Sequence, residues 1–421
     1  MHPADQICTV MKQIYDRGLT SLTGGNLSMM DEEGIIWVSP SGIDKGKLNR
    51  EDIVKLLPDG SVEGIHKPTS EYGIHKRIYD VCPGMKAVLH AHSPALVSLS
   101  IAHQSPDTFL TLASLETCDN PGVAEYATPG TMDLAEEVGR VFEAGHEAVV
   151  LKNHAAFVGS RIDLFDGMKR LEQLEMTSRL QLCTGVVGRG KRLDRGAVHA
   201  YRESRKKPPE FEEAHIYSSR EREKRRELAT FAKRAYDKNL FTGKYGTLSV
   251  RVDSHTFLIS PDDKDNAWMS ESEFVSIHDK KAEMGKNPDK DWRLHEEIYR
   301  LHPEVQCIMM AAPAHITSYA VSGAVYPVEI APESYGVLRK GYEFSFQEFI
   351  DVKPLAQTLS LSQPFALISN VGAIVVGPDM TLTFDKLEVA ESSAWSLHMA
   401  AMGGMSIQPL TAGQLLLTDK N

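Results

Sequence analysis

The sequence predicts an α/β protein built from two similar layered domains in tandem, and three observations lead there. Its 421 residues exceed what a single hydrophobic core usually organises. Stretches of helical and of strand periodicity alternate along the chain. The chain is also written twice. Tyr15-Asp16-Arg17-Gly18-Leu19 is echoed by Tyr236-Asp237-Lys238-Asn239-Leu240, and 236 less 15 gives an offset of 221. Gly25-Asn26-Leu27-Ser28 returns as Gly246-Thr247-Leu248-Ser249, and Ser39-Pro40 as Ser260-Pro261, at the same offset. His75, Ile78, Tyr79 and Pro83 return as His295, Ile298, Tyr299 and Pro303 at 220, and Ser93-Pro94-Ala95 faces Ala312-Pro313-Ala314 at 219.

Within the first copy, residues 4–17 and 70–81 carry apolar side chains at helical spacing, as do 131–144 and 164–183. Residues 35–39, 86–91 and 148–152 are short apolar runs of strand type. The expected organisation is a first domain over 1–187, a charged linker or extension over 188–222, and a second copy over 223–421. The linker holds Gly188-Arg189-Gly190-Lys191-Arg192 and Arg205-Lys206-Lys207-Pro208-Pro209, a solvated connector in the simpler reading and a nucleic-acid or membrane contact in the other.

With 46 basic against 57 acidic residues and a net charge of −11, the chain is poorly suited to general nucleic-acid binding, while local basic sites for small anions stay open. The start, Met1-His2-Pro3-Ala4-Asp5-Gln6, lacks the basic and apolar regions of a secretion signal, and no run approaches the ~18 apolar residues of a membrane span, so a cytoplasmic protein without membrane partners is expected. The five cysteines, Cys8, Cys82, Cys118, Cys183 and Cys307, are scattered without a C-x-x-C pair, which points to metal ligation by nitrogen and oxygen rather than by thiolate.

The most specific local feature is Val88-Leu89-His90-Ala91-His92-Ser93-Pro94. On a strand, positions 90 and 92 project to one face, where two imidazoles can share a divalent ion; a half-buried pair bonded to backbone carbonyls is the competing reading. The repeat tests the two. Positions 90 and 92 correspond to Met309 and Ala311, and His154 of Lys152-Asn153-His154 corresponds to Val371 of Ser369-Asn370-Val371, while Glu71 falls opposite Asp291. Three histidines vanish together while scaffold residues such as Asn153/Asn370 and Pro94/Pro313 remain, as expected of three ligands to one ion.

Gly24-Gly25-Asn26-Leu27-Ser28, Ser39-Pro40-Ser41-Gly42, Pro68-Thr69-Ser70-Glu71 with His75 following, His90-Ala91-His92-Ser93-Pro94 and Asn153-His154 occur in the order and spacing of a known family. The chain resembles the class II aldolase/adducin-head family of fuculose-phosphate aldolase-like proteins, with the second half as a degenerate copy. The resemblance implies two tandem α/β/α layered domains, each with a central, mainly antiparallel sheet. It implies one Zn²⁺ per chain, in the first domain only, on His90, His92 and His154, with Glu71 as catalytic acid/base. Phosphate binding is implied at Asn26, Ser41, Gly42, Thr69 and Ser70, with Thr69 departing from the usual serine but keeping its hydroxyl. The family's further tyrosine proton donor is not placed here.

The implied reaction is cleavage of a phosphorylated ketose through an enediolate, and epimerases, dehydratases and decarboxylases of sugar phosphates share the same motifs. The family also implies a homo-oligomer, two chains forming a pseudo-tetrameric ring. The chemistry of the residues agrees: neutral imidazoles suit Zn²⁺, and three of them leave a position open for substrate oxygens. Ser70 is the expected N-cap of the helix that follows, an end that favours anions. The blander readings are a first-turn Glu71 pairing with His75 at i+4, and purely structural turns at residues 24–26 and 39–42. An adducin-like interaction module is a reading from another class, set against by the ligands the first copy retains. A metallohydrolase opening on His-x-His conflicts with the repeat and with Pro94, where such a site wants Asp. His66 and His103 are read as ordinary polar residues.

Overall fold

The structure, a computed structural model, describes residues 1–118, 121–211 and 216–418. It divides into two compact units, Met1–Thr108 with Ser114–Arg179 and Phe109–Ala113 with Leu180–Asn421. Residues 212–215 of the expected linker lie outside the described residues.

The first half runs α1 (Pro3–Asp16), β1 (Asn26–Met30), β2 (Ile36–Val38), β3 (Val54–Leu56), β4 (Val62–Glu63), α2 (Tyr72–Val81), β5 (Ala87–Ala91) and α3 (Pro94–Ile101). It continues through α4 (Leu112–Thr117), β6 (Gly122–Ala124), α5 (Met132–Glu143), β7 (Ala148–Leu151), β8 (Ala156–Ser160) and α6 (Leu164–Val187). Its eight strands form one sheet in the order β4-β3-β2-β1-β5-β8-β7-β6, in which only the β6–β7 pairing is parallel.

Helix α1 forms because Ile7, Val10, Met11 and Ile14 make one apolar stripe and because Pro3 opens it with His2 as cap, its ring accepting from the Ala4 amide. That stripe packs with Leu164, Met168, Leu171 and Leu174 of α6 on the sheet face that carries Leu27, Leu89 and Val158. The opposite face carries Val88 and Phe157 and is covered by Ile74 and Ile78 of α2 and by Leu134, Val138 and Phe142 of α5. Strand periodicity then assigns His90, two residues from Val88, to the α2/α5 face. The α/β/α layering and the mainly antiparallel sheet are as the resemblance implies.

The second half begins with α7 (Arg195–Ser204) and α8 (Ser219–Asp237), followed by β9 (Thr247–Arg251), β10 (Thr256–Ile259), β11 (Val275–His278), β12 (Lys281–Ala282), α9 (Trp292–Leu301), β13 (Cys307–Ala311) and α10 (Ala314–Ser322). Then come α11 (Pro332–Leu338), β14 (Tyr342–Phe344), α12 (Phe346–Asp351), α13 (Lys353–Thr358), β15 (Phe365–Ile368), β16 (Gly372–Gly377), α14 (Met380–Met402) and α15 (Ala412–Thr418). Its sheet has the order β12-β11-β10-β9-β13-β16-β15-β14, the first sheet's order with eight added to each strand number. Among the described residues, no helix is long and apolar enough to cross a membrane.

Candidate metal centre and active site

His90 is the penultimate residue of β5 and His92 lies just past its end, so both face α2. Register places Asn26 of β1 opposite His90, and Phe157 of β8 opposite it on the other side. The His90 ring stacks on Phe157 at 4.2 Å, and its Nδ1–H donates to the Ala156 carbonyl at 3.0 Å, which leaves the Nε2 lone pair for a ligand role. Gly25 has φ +68°, and a Cβ there would come 2.7 Å from the His90 carbonyl oxygen, so the Gly-Gly-Asn turn needs glycine to approach this strand.

His154 sits in the β7–β8 turn. Asn153 before it is left-handed (φ 56°), as is its counterpart Asn370 (φ 59°), a conformation that asparagine tolerates well, which explains why both copies keep it. The buried Ser100 hydroxyl accepts from the His154 amide at 2.9 Å and donates to the Leu151 carbonyl at 2.7 Å, fixing the turn.

The three imidazoles converge, with one nitrogen of each within 4.8 Å of the others. Ring centroids are 4.9, 5.0 and 5.2 Å apart, and the Nε2 atoms of His90 and His92 are 3.0 Å apart. Burial, then the neighbouring rings His92 and His154, push His90 well below the ordinary imidazole range. Burial likewise lowers His92 and His154. All three are thus held neutral, the form that binds a metal.

Glu71 completes the cluster: Oε2 is 3.3 Å from His90 Nε2 and Oε1 3.7 Å from His154 Nε2. Oε1 is buried without a hydrogen-bond partner, as is His154 Nδ1, and unpartnered polar atoms facing neutral imidazoles are what a bound cation would satisfy. The donor set fits a zinc-class ion. Glu71 itself, not Ser70, is the N-cap residue of α2, and its carboxylate makes no capping bond because it turns to the histidines instead. Nor does it pair directly with His75. Asn26 stands between them, its Nδ2 donating to Glu71 Oε2 at 2.8 Å and its Oδ1 lying 2.5 Å from His75 Nε2.

Of the expected phosphate positions, Ser41, Gly42 and Ser70 are exposed and Thr69 is buried. The Pro40–Pro68 bridge, with the Ser41 amide on the Lys67 carbonyl at 3.0 Å, lays the two loops side by side. Asn26 is 3% exposed, and its amide meets Glu71 by Nδ2 and His75 by Oδ1. His66 bonds Asp52, and His103 bonds Asn153.

The family described as Class II Aldolase and Adducin N-terminal domain matches residues 5–182 and again residues 226–397. The chain belongs to this family. Among its relatives are a 5-deoxy-D-ribulose 1-phosphate aldolase of Bacillus thuringiensis, 32% identical over 45% of this chain and 88% of its own length. An L-fuculose phosphate aldolase of Methanocaldococcus jannaschii is 31% identical over 43% of this chain and 97% of its own length. A 3-oxo-tetronate 4-phosphate decarboxylase of Haemophilus influenzae is 31% identical over 40% and 81%. Each alignment takes in less than half of this tandem class II aldolase-family chain.

The second family domain separates scaffold from site. Ser28 lies 2.7 Å from His75 and 2.8 Å from Tyr79; Ser249, His295 and Tyr299 repeat both distances. That trio is therefore scaffold, whereas the Asn26 link to a glutamate is confined to the first domain. Thr247 takes Asn26's place and donates to Asp289, and His295 Nε2 is left without a partner.

Two residues escaped the sequence reading. Lys45 is 1% exposed, and its ammonium donates to the Pro40 carbonyl just before Ser41; burial lowers it to about 8. Arg205, in the stretch read as a linker, is 4% exposed at its side chain and bonds Asp291, the Glu71 counterpart, at 2.7 Å. It also stacks on Tyr201 of α7 and on Phe349. Burial and the adjacent Asp291 push the Asp289 carboxyl up to about 7. The second domain thus spends its glutamate position on an internal ion pair.

Proposed function

We propose that the first domain is a zinc-dependent aldehyde-lyase cleaving a phosphorylated ketose. The observation that carries this reading is the convergence of His90, His92 and His154 on the Glu71 carboxylate, in a chain whose second copy has Met309, Ala311 and Val371 at the ligand positions. The family membership and the aldolases among the relatives support it. When bound, zinc supplies Lewis acidity that stabilises the charge developing on the ketose carbonyl as the adjacent carbon–carbon bond breaks.

The chain's own residues do the rest. Nδ2 of Asn26 holds Glu71 Oε2, so Oε1, buried and unpartnered, is the oxygen that exchanges a proton with the substrate carbon. Ser41, Gly42, Thr69 and Ser70 hold the phosphate from two adjoining loops, with the Lys45 ammonium behind them as a fixed positive charge. His75, Ser28 and Tyr79 buttress Asn26. Two chains close a pseudo-tetrameric ring in which inert domains alternate with active ones.

The test is a panel of ketose phosphates incubated with the zinc-loaded protein and assayed for dihydroxyacetone phosphate. Release from at least one member is expected. Release of carbon dioxide or water instead, or no turnover at all, contradicts the aldolase reading; a monomer in solution contradicts the ring.

A further inference from the structure

The second compact unit, which holds none of the first site's histidines, brings together a different set: Cys183 from the last turns of α6, and His315 and His398 from the second copy, with one donor atom of each within 4.8 Å of the others. Cys183 lies near the end of α6, His315 in the first turn of α10, and His398 near the end of α14. All three belong to the second unit.

Contacts within the second unit fix the two imidazoles. Glu391 Oε1 lies 2.6 Å from His315 Nδ1 and its two oxygens also accept from the His315 and Ile316 amides, so the carboxylate is consumed in orienting the ring and α10. That leaves Nε2 of His315 as its ligand atom. The ring stacks against Trp395 and has the Cys183 thiol within hydrogen-bonding reach. His398 is 2% exposed; its Nε2 is 3.2 Å from the Ser318 hydroxyl, while its Nδ1 is buried with no partner at all. A buried imidazole nitrogen without a partner is costly unless something else fills its lone pair.

The repeat supplies the control again. The N-caps Asp163 and Asp379 and the starts Leu164 and Met380 set α6 against α14 at an offset of 216, which pairs His398 with Leu182, and the Pro94/Pro313 offset of 219 pairs His315 with Leu96. The first copy thus has two leucines where the second has two imidazoles.

We propose that the second compact unit holds a zinc-class ion on the Cys183 thiolate and the His315 and His398 imidazoles. One sulfur and two nitrogens select a borderline or soft transition ion over magnesium or calcium, and three protein ligands leave a fourth position open. The ion is additional to the one expected in the first domain, and it stands whether or not that domain is an aldolase.

The test uses the full chain loaded with Co²⁺. A cobalt–thiolate bond gives a charge-transfer absorption that the all-imidazole first site cannot produce. The band is expected in the wild type and in His92→Ala, and is expected to disappear in Cys183→Ser. Equilibrium dialysis with Zn²⁺ alone should show His398→Gln losing one ion per chain, with circular dichroism unchanged. A wild-type protein without the band overturns the proposal, as does a band that survives in Cys183→Ser. Because the wild-type spectrum decides by itself, a variant that fails to fold does not rescue it.

Discussion

The side-chain amide of Asn26 holds Glu71 by one end, 2.8 Å from Nδ2 to Oε2, and meets His75 by the other, 2.5 Å from Oδ1 to Nε2. One buried residue therefore ties the carboxylate beside His90, His92 and His154 to a serine–histidine–tyrosine trio that both domains share. What makes the first domain chemically distinct is this link and the three imidazoles around it.

Replacing Asn26 with the second domain's residue, Asn26→Thr, removes both bonds and leaves Glu71 unheld. Turnover of the cleaved ketose phosphate is expected to fall about 10–100-fold, the usual effect of losing a residue that orients a site, with zinc content unchanged. A variant as active as the wild type contradicts the positioning role.

Arg205 and Asp291 form a pair in which both side chains are under a tenth exposed. Arg205→Ala removes the cation from a buried carboxylate beside Asp289, leaving it the Tyr201 hydroxyl at 3.2 Å, and a loss of about 3–5 kcal/mol is expected in denaturant unfolding. The double replacement Arg205→Met with Asp291→Leu is expected to recover most of it. A single variant with wild-type stability shows the pair to be dispensable.

His75 and His295 are both fully buried, and desolvation lowers each from 6.5 to about 3. In the unfolded chain both rings take up a proton near pH 6.5, whereas the folded rings stay neutral to about pH 3. The stability they confer is therefore complete above pH 6.5 and is lost as pH falls toward 3, at up to about 1.4 kcal/mol per pH unit for each ring. Urea midpoints of the chelator-treated protein should fall between pH 7 and pH 5, and fall less in the His75→Gln, His295→Gln variant. Equal slopes contradict the assignment.

Much of this was legible in the sequence because the chain is its own control. Spacing at Ile7, Val10, Met11 and Ile14 placed α1, and the loss of His90, His92 and His154 from the second copy singled them out before any geometry was known. Pairings made across the fold were not legible. Asn26 and His75 meet only because α2 covers the face of the sheet to which Asn26 of β1 points, and no local pattern announces it. Arg205 sits in a basic run that reads as solvated, yet Tyr201, Phe349 and Asp291 bury it. The cysteines looked scattered, which excluded thiolate ligation on spacing grounds, while the fold carries Cys183 to two histidines far along the chain. The α2 cap was misplaced by one residue because Glu71 serves the histidines rather than its own helix.

The most direct test of the central claim is zinc bound per chain in a Cys183→Ser background, where only the first site is counted, measured together with turnover. One ion per chain is predicted, lost in Cys183→Ser with His92→Ala, and retained with Glu71→Gln while turnover falls about 10²–10⁴-fold. Zinc that stays when His92 is removed, or full turnover without the Glu71 carboxylate, contradicts the account.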